Sequence, residues 1–191
     1  MAISLQKGQK VSLEKVAPGL VAAFIGLGWD VNPTDTGTDF DLDASLFLLG
    51  ANDKLVSEQH FLYYNNLNSP DPDQSIKLMG DNRTGEGEGD DEGIIVDLRK
   101  VPEEIQKLVI TVTIYEAEKR GQNFGQVSNA FVRLVNVENK EEVLRYDLDE
   151  DFSLETAIIM AELYRKDGSW RVNAVGAGYQ GGLQAMLNRY Q

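Results

Sequence analysis

Cysteine is absent from this chain, and histidine occurs once, as His60. Those two scarcities remove the ligand sets of zinc, copper and iron–sulfur centres, which need thiolates or several imidazoles. They also exclude disulfides and leave a Ser–His–Asp relay with one histidine to draw on. That histidine sits in a strand-like segment beside Phe61 and reads as structural. Basic residues are outnumbered 18 to 31, for a net charge of −13. This balance argues against nucleic acid and against direct contact with an anionic membrane, because phosphate contacts need Lys and Arg. Binding bridged by a divalent cation remains open. Long apolar runs are missing too. The longest extends from about Gly19 to Trp29 and is too short to span a bilayer. Met1 to Lys10 lacks the continuous apolar stretch of a signal peptide, so the expectation is a cytoplasmic protein.

What the chain does have is a core and a concentration of carboxylates. With 191 residues and 42% hydrophobic content, it is expected to form one globular domain over 1–191. Asp81 to Glu92 holds six carboxylates, one amide, one hydroxyl, three glycines and one cation, Arg83. A second acidic set, Asp39, Asp41 and Asp43, lies upstream. Two unit charges about 5 Å apart repel by roughly 3 kcal/mol at an effective dielectric of about 20. A merely solvated acidic loop avoids this by staying extended. Gly85, Gly87 and Gly89 instead let the backbone curl and turn its oxygens inward. A curled acidic loop needs a cation. Calcium takes about 6–8 oxygens in flexible geometry, which carboxylates, Asn82, Thr84 and loop carbonyls can supply. Magnesium fits less well, since it keeps its waters.

Asp39, Asp41 and Asp43 alternate with Phe40, Leu42 and Ala44. On a strand this gives one acidic and one apolar face. The following Ser45 to Leu49 is largely apolar on both faces, so the strand is expected to enter the core and leave its acidic end at the rim. Asp39 and Asp43 would stand about 13 Å apart along a straight strand. Two oxygens on one calcium are at most about 5 Å apart. Two ions sharing ligands therefore fit better than one. An EF-hand does not fit. Counting from Asp39, Ala44 and Gly50 fall where that loop needs Gly and Glu, and counting from Asp81, Arg83 falls where it needs Asp or Asn.

Elsewhere, short strand signals alternate with turn residues. They run over Leu20–Ile25, Ala44–Leu49, Phe61–Tyr64, Ile94–Val96, Val109–Tyr115, Ala130–Val137, Val143–Leu148, Ala157–Arg165 and Trp170–Val175. Asp167-Gly168 signals a tight hairpin. Val101 to Lys107, with Pro102 near its first turn, predicts a short helix. Many strands at this spacing indicate a mainly β chain folded as a sandwich. Val175 to Gly181 matches a dinucleotide-binding glycine pattern, but no second strand or acidic residue completes the unit. The glycines read instead as a sharp turn before an amphipathic helix, in which Leu183, Met186, Leu187 and Tyr190 form one apolar stripe. Trp29 and Trp170 read as packing residues.

Gly37 to Ser45 and Gly80 to Glu92 resemble the signature motifs of the TerD family of tellurium-resistance and stress-response proteins. Ile3 to Gly8, Tyr164 to Trp170 and Gly178 to Leu183 are similar to that family as well, so the resemblance spans nearly the whole chain. It implies a two-layer β-sandwich with a few short helices, including a C-terminal amphipathic one, binding about two calcium ions between loops. Carried over position by position, the candidate ligands are Asp39, Asp41, Asp43, Asp81, Asn82, Glu86, Glu88, Asp90, Asp91 and Glu92. The resemblance further implies a role in resistance to tellurite and other toxic stress, and the gathering of the recognisable polar chemistry into one ligand set points to a non-enzymatic one. It implies assembly with other TerD-like proteins and with a membrane-embedded partner, which would place the chain at the inner face of the membrane. Two alternatives from the residues stay open. One is a calcium-dependent hydrolase of phosphoester or glycosidic bonds. The other is a module that binds a membrane or ligand through bridging calcium.

Overall fold

A computed structural model of the protein describes residues 2–31, 40–79, 89–150 and 152–191. The strands, in chain order, are β1 (Ile3–Leu5), β2 (Lys10–Ser12), β3 (Ala22–Val31), β4 (Leu42–Leu49), β5 (Phe61–Leu62), β6 (Ile76–Met79), β7 (Glu92–Asp97), β8 (Lys107–Ile114), β9 (Val127–Asn136), β10 (Glu142–Asp147), β11 (Ala157–Lys166) and β12 (Ser169–Tyr179). Three α-helices, α1 (Leu13–Val16), α2 (Ala117–Arg120) and α3 (Gly182–Tyr190), punctuate them. One six-stranded sheet has the order β1-β10-β9-β3-β7-β6, and the second runs β2-β12-β11-β8-β4-β5. All the pairings are antiparallel except β1 with β10. The sheets pack face to face as the expected sandwich. No helix among the described residues is long and apolar enough to cross a membrane.

Alternation along the strands builds the core. Leu42, Ala44, Leu46 and Leu48 of β4 and Leu108, Ile110 and Val112 of β8 point between the sheets, where they meet Ile25, Leu27 and Ile94. The other faces of β4 and β8 carry Phe47, Leu49 and Val109, which form a second apolar cluster with Met186 and Tyr190 of α3. Helix α3 therefore covers the outer face of the second sheet. The predicted stripe is the surface it uses, with Leu183 and Leu187 packed at the edge. Lys54 Nζ donates to the carbonyls of Arg189 and Gln191 at 3.1 and 2.7 Å. Leu55 N–H donates to the Tyr190 carbonyl at 2.7 Å. Carbonyls left over at the helix end are satisfied in this way.

The Asp167-Gly168 hairpin forms with a two-residue loop between Lys166 and Ser169. Both loop residues have positive φ, 53° and 74°, as this turn requires. The segment from Val101 to Lys107 is not the helix its pattern suggested. One turn forms, Ile105 N–H to the Pro102 carbonyl, and β8 begins at Lys107. The Arg165 guanidinium takes the carbonyls of Val101 and Ile105, and Ile105 is buried in the core. Tertiary contacts thus outweigh the weak local preference of a short helix.

Two glycine-containing stretches outside the predicted strands, one of them read as a turn, are strand instead. β3 continues through Gly26 and Gly28, and β12 through Gly176 and Gly178. The latter pair belongs to the dinucleotide-like pattern and so forms no phosphate loop. Neighbouring side chains lie against these backbones. A Cβ at Gly26 would overlap the Asp90 carboxylate, one at Gly28 the Phe131 ring, and one at Gly178 the Phe152 ring.

Candidate metal centre

The described ends of the two acidic segments, Phe40 to Ala44 and Asp90 to Glu92, meet at one hydrogen bond, from the Ala44 N–H to Glu92 Oε1. Phe40, Leu42 and Ala44 are buried, while Asp41 and Asp43 between them are half-buried. This is the acidic-out, apolar-in alternation expected of the sequence. Tyr115 N–H donates to the Asp41 carbonyl at 2.8 Å and so prolongs the ladder beyond β4. Asp43 lies opposite Thr113. Both aspartates therefore sit on the outer face of the second sheet.

The downstream segment arrives from the other sheet. Asp91 N–H donates to the Leu27 carbonyl at 2.7 Å, and Glu92 pairs with Leu27 as the first residue of β7. Paired residues share a face, so Glu92 points between the sheets with Leu27. Its Oε1 accepts from the Ala44 N–H of β4 at 3.1 Å. The strand β5 pairs with β4 only at Leu46 and Phe47, so the acidic end of β4 runs past that neighbour. Asp91 acts similarly on β3. The β3–β9 register shifts between Gly28 and Asp30, and the Trp29 N–H at that irregularity donates to Asp91 Oδ2 at 2.8 Å. Two carboxylates thus accept backbone hydrogens where ladders stop. Asp91 and Glu92 are only 8% and 5% exposed. Anions that deep persist only with hydrogen bonds or a cation.

Asp90 behaves differently. The chain bends at Asp91, and Asp90 lies over Gly26 on the outer face of the first sheet. Both of its oxygens accept from Arg133 of β9, each at 2.8 Å from Nε and Nη2. Arg133 Nη1 also donates to Glu142 of β10 at 3.1 Å. The Asp90 and Glu142 carboxylates hold the Arg133 guanidinium well above its ordinary pKa.

Asp39, Asp81, Asn82, Glu86 and Glu88 lie outside the described residues. Among the described residues no group of three or more His, Cys, Asp or Glu side chains converges on a metal position. Asp41 and Asp43 face outward from β4, whereas Glu92 reaches that strand from within the sandwich. The donors present at both places are carboxylates and backbone carbonyls, the hard oxygens that calcium takes. On donor chemistry the residues fit calcium.

An open groove of about 580 Å³ adjoins Asp43, walled by Tyr64, Thr113, Tyr115 and Lys119 and by Gly182 at the start of α3. Tyr64 and Tyr115 are 47% and 42% exposed. The Tyr64 hydroxyl is pushed above its ordinary pKa by burial first, then by nearby Tyr115 and Asp43. Nothing local in the sequence pointed to this groove or to Arg133. The one available signal was Gly26 and Gly28 spaced by two in an apolar run, which marks close approach to a strand.

The remaining candidates are structural. His60 is buried, and its Nδ1 lies 2.8 Å from Ser57 Oγ. Burial lowers its pKa, against an opposing pull from Glu104 and Asp71. Asp71 accepts from the Ser75 N–H and hydroxyl at 2.9 and 3.0 Å. Trp29 and Trp170 are core residues, with Trp170 Nε1–H donating to the Leu98 carbonyl at 3.3 Å.

A model of the TerD domain matches residues 1–190. The chain belongs to the TerD family. It is 56% identical over 190 residues to "General stress protein 16U" of Bacillus subtilis (strain 168), covering 100% of this chain and 97% of that protein. It is 53% identical to "Tellurium resistance protein TerD" of Serratia marcescens, over 100% and 97% of the two chains. The crystal structure of a homologue of telluride resistance protein (TerD) from Streptomyces coelicolor A3(2) superposes with a TM-score of 0.69. It covers 88% of this chain and 96% of that one at 22% identity, which establishes the TerD fold.

Proposed function

We propose that this TerD protein is a non-enzymatic stress-response module whose acidic segments bind about two calcium ions and, once ordered by them, form a docking surface. The supporting observation is the contact between Glu92 Oε1 and the Ala44 N–H, which joins the described ends of the two acidic stretches from opposite sheets. The names of its relatives, among them a general stress protein and tellurium-resistance proteins, support the stress role. Asp41, Asp43, Asp91 and Glu92 supply oxygens, and Asp39, Asp81, Asn82, Glu86 and Glu88 are the further candidates. Calcium neutralises the crowded charge and holds the segments closed. Partners then read the ordered surface. They are other TerD-like proteins and a membrane-embedded protein, with this chain on the cytoplasmic side. Calcium added to chelator-stripped protein is expected to give heat in calorimetry and a melting temperature that climbs with its concentration. No heat and an unchanged melting temperature at millimolar calcium would end the proposal.

The groove beside Asp43 favours a second reading, in which the metal orients a bound anion or polarises a phosphoester for hydrolysis. Calcium-dependent release of nitrophenol from nitrophenyl phosphates, abolished in Asp43→Asn, would establish it in place of the first.

A further inference from the structure

Of the carboxylates carried over as ligands, Asp90 has the best-defined partners, and they are not those of a metal ligand. Both oxygens are engaged by one guanidinium in the parallel two-bond geometry that makes such pairs strong and directional. The Asp90 side chain is 12% exposed and that of Arg133 32%, so water screens the carboxylate side of the pair weakly. Local sequence serves the pair. Gly26 of β3 stands directly between its partners in the sheet, Gly93 of β7 and Arg133 of β9. Without a Cβ there, the Asp90 carboxylate lies flat over the strand and reaches Arg133. Gly89 has φ 131°, a conformation few other residues adopt, and it delivers the chain into Asp90. Arg133 is braced from its other side by Glu142 at 3.1 Å. Three strands of the first sheet, β3, β9 and β10, thus fix one residue at the exit of the acidic loop.

The consequence lies in the next two residues. The bend at Asp91 puts Asp90 outside the sheet and Glu92 inside it. With Asp90 pinned, Asp91 is presented to Trp29 and Glu92 to Ala44.

We infer that the Asp90–Arg133–Glu142 triad is a positioning clamp for the acidic loop, and that Asp90 acts by orienting Asp91 and Glu92 toward calcium from outside the metal shell. This rests on the calcium reading and refines it. Groups that orient metal ligands typically change affinity by roughly ten- to hundredfold when removed. Neutralising a ligand also weakens its ion, but that loss does not depend on Arg133.

The experiment is calcium titration calorimetry on Asp90→Asn, Arg133→Gln and the double variant, at a temperature where each chelated protein is fully folded. Each single variant should bind the wild-type number of ions with affinity roughly ten- to hundredfold weaker. The double variant should be no worse than either, since the two residues act as one unit. Arg133→Lys should recover little, because an ammonium cannot make the paired bonds. The clamp is overturned if Asp90→Asn loses an ion while Arg133→Gln keeps full affinity, or if the two effects add. Melting in chelator gives a separate arm. The two variants should lower the melting temperature by non-additive amounts whether or not calcium binds, Arg133→Gln by more because it also releases Glu142. Wild-type protein that takes up no calcium would remove the calcium reading alone, and independent effects in chelator would remove the clamp alone.

Discussion

Glu92 of one sheet accepts a hydrogen bond from the backbone of Ala44 in the other, at 3.1 Å. The carboxylate serves the fold as an acceptor and is proposed to serve calcium through its charge. These roles separate by mutation. Glu92→Gln keeps an acceptor of the same shape, so its stability in chelator should stay within about 1 kcal/mol of wild type while calcium affinity falls. Glu92→Ala leaves a buried N–H unmatched and should cost about 1–3 kcal/mol in chelator as well. Denaturant unfolding with and without calcium distinguishes the two.

Gly26→Ala should destabilise the protein by about 1–3 kcal/mol, because the new methyl overlaps the Asp90 carboxylate and forces it off Arg133. In an Asp90→Ala background the same substitution should cost much less. A cost that stays undiminished there would place the strain elsewhere. Unfolding free energies of the three variants make the test.

His60 gives a pH signature. Its folded pKa is lowered from 6.5, chiefly by burial. The folded state therefore binds this proton less readily than the unfolded chain does. Its contribution to stability is full above about pH 6.5 and is lost as pH falls through the lowered folded value. Wild-type protein should lose stability as pH falls below about 6.5, and His60→Gln should lose less. Melting temperatures across that range, in chelator, check the sign.

Met186→Ala should cost about 2–5 kcal/mol, as truncation of a fully buried side chain does. Met186 is 0% exposed between α3 and the outer face of the second sheet. A cost near that of an exposed site would mean that α3 is not docked. Thermal and denaturant unfolding read it directly.

The parts legible in the sequence were those written in local periodicity. The alternation from Phe40 to Ala44, the Asp167-Gly168 turn and the α3 stripe each follow from spacing alone, and each formed. Strand spacing indicated the sandwich, and the family resemblance agreed with it. What escaped was set by distant partners. Arg133 is 43 positions from Asp90, and no pattern within either segment announces the pair. The strand signal stopped at Ile25, before Gly26 and Gly28, because a glycine's freedom is visible in sequence, whereas the side chains that lie over it are not. Val101 to Lys107 failed as a helix for the same reason, since Arg165 claims its carbonyls from another strand. Asp41, Asp43, Asp91 and Glu92 were found by composition, but the face each occupies came only with the fold. Asp39, Asp81, Asn82, Glu86 and Glu88 lie outside the described residues.

The most direct measurement uses Trp29, whose backbone N–H is held by Asp91. Terbium, which takes calcium's oxygen ligands, emits when an excited indole lies beside it. Added to chelator-stripped protein, it should glow on tryptophan excitation, and calcium should quench the signal by displacement. Trp170→Phe should keep the emission and Trp29→Phe should lose it. Emission that is absent, that calcium cannot displace, or that survives without Trp29 would contradict a calcium site at the acidic segments.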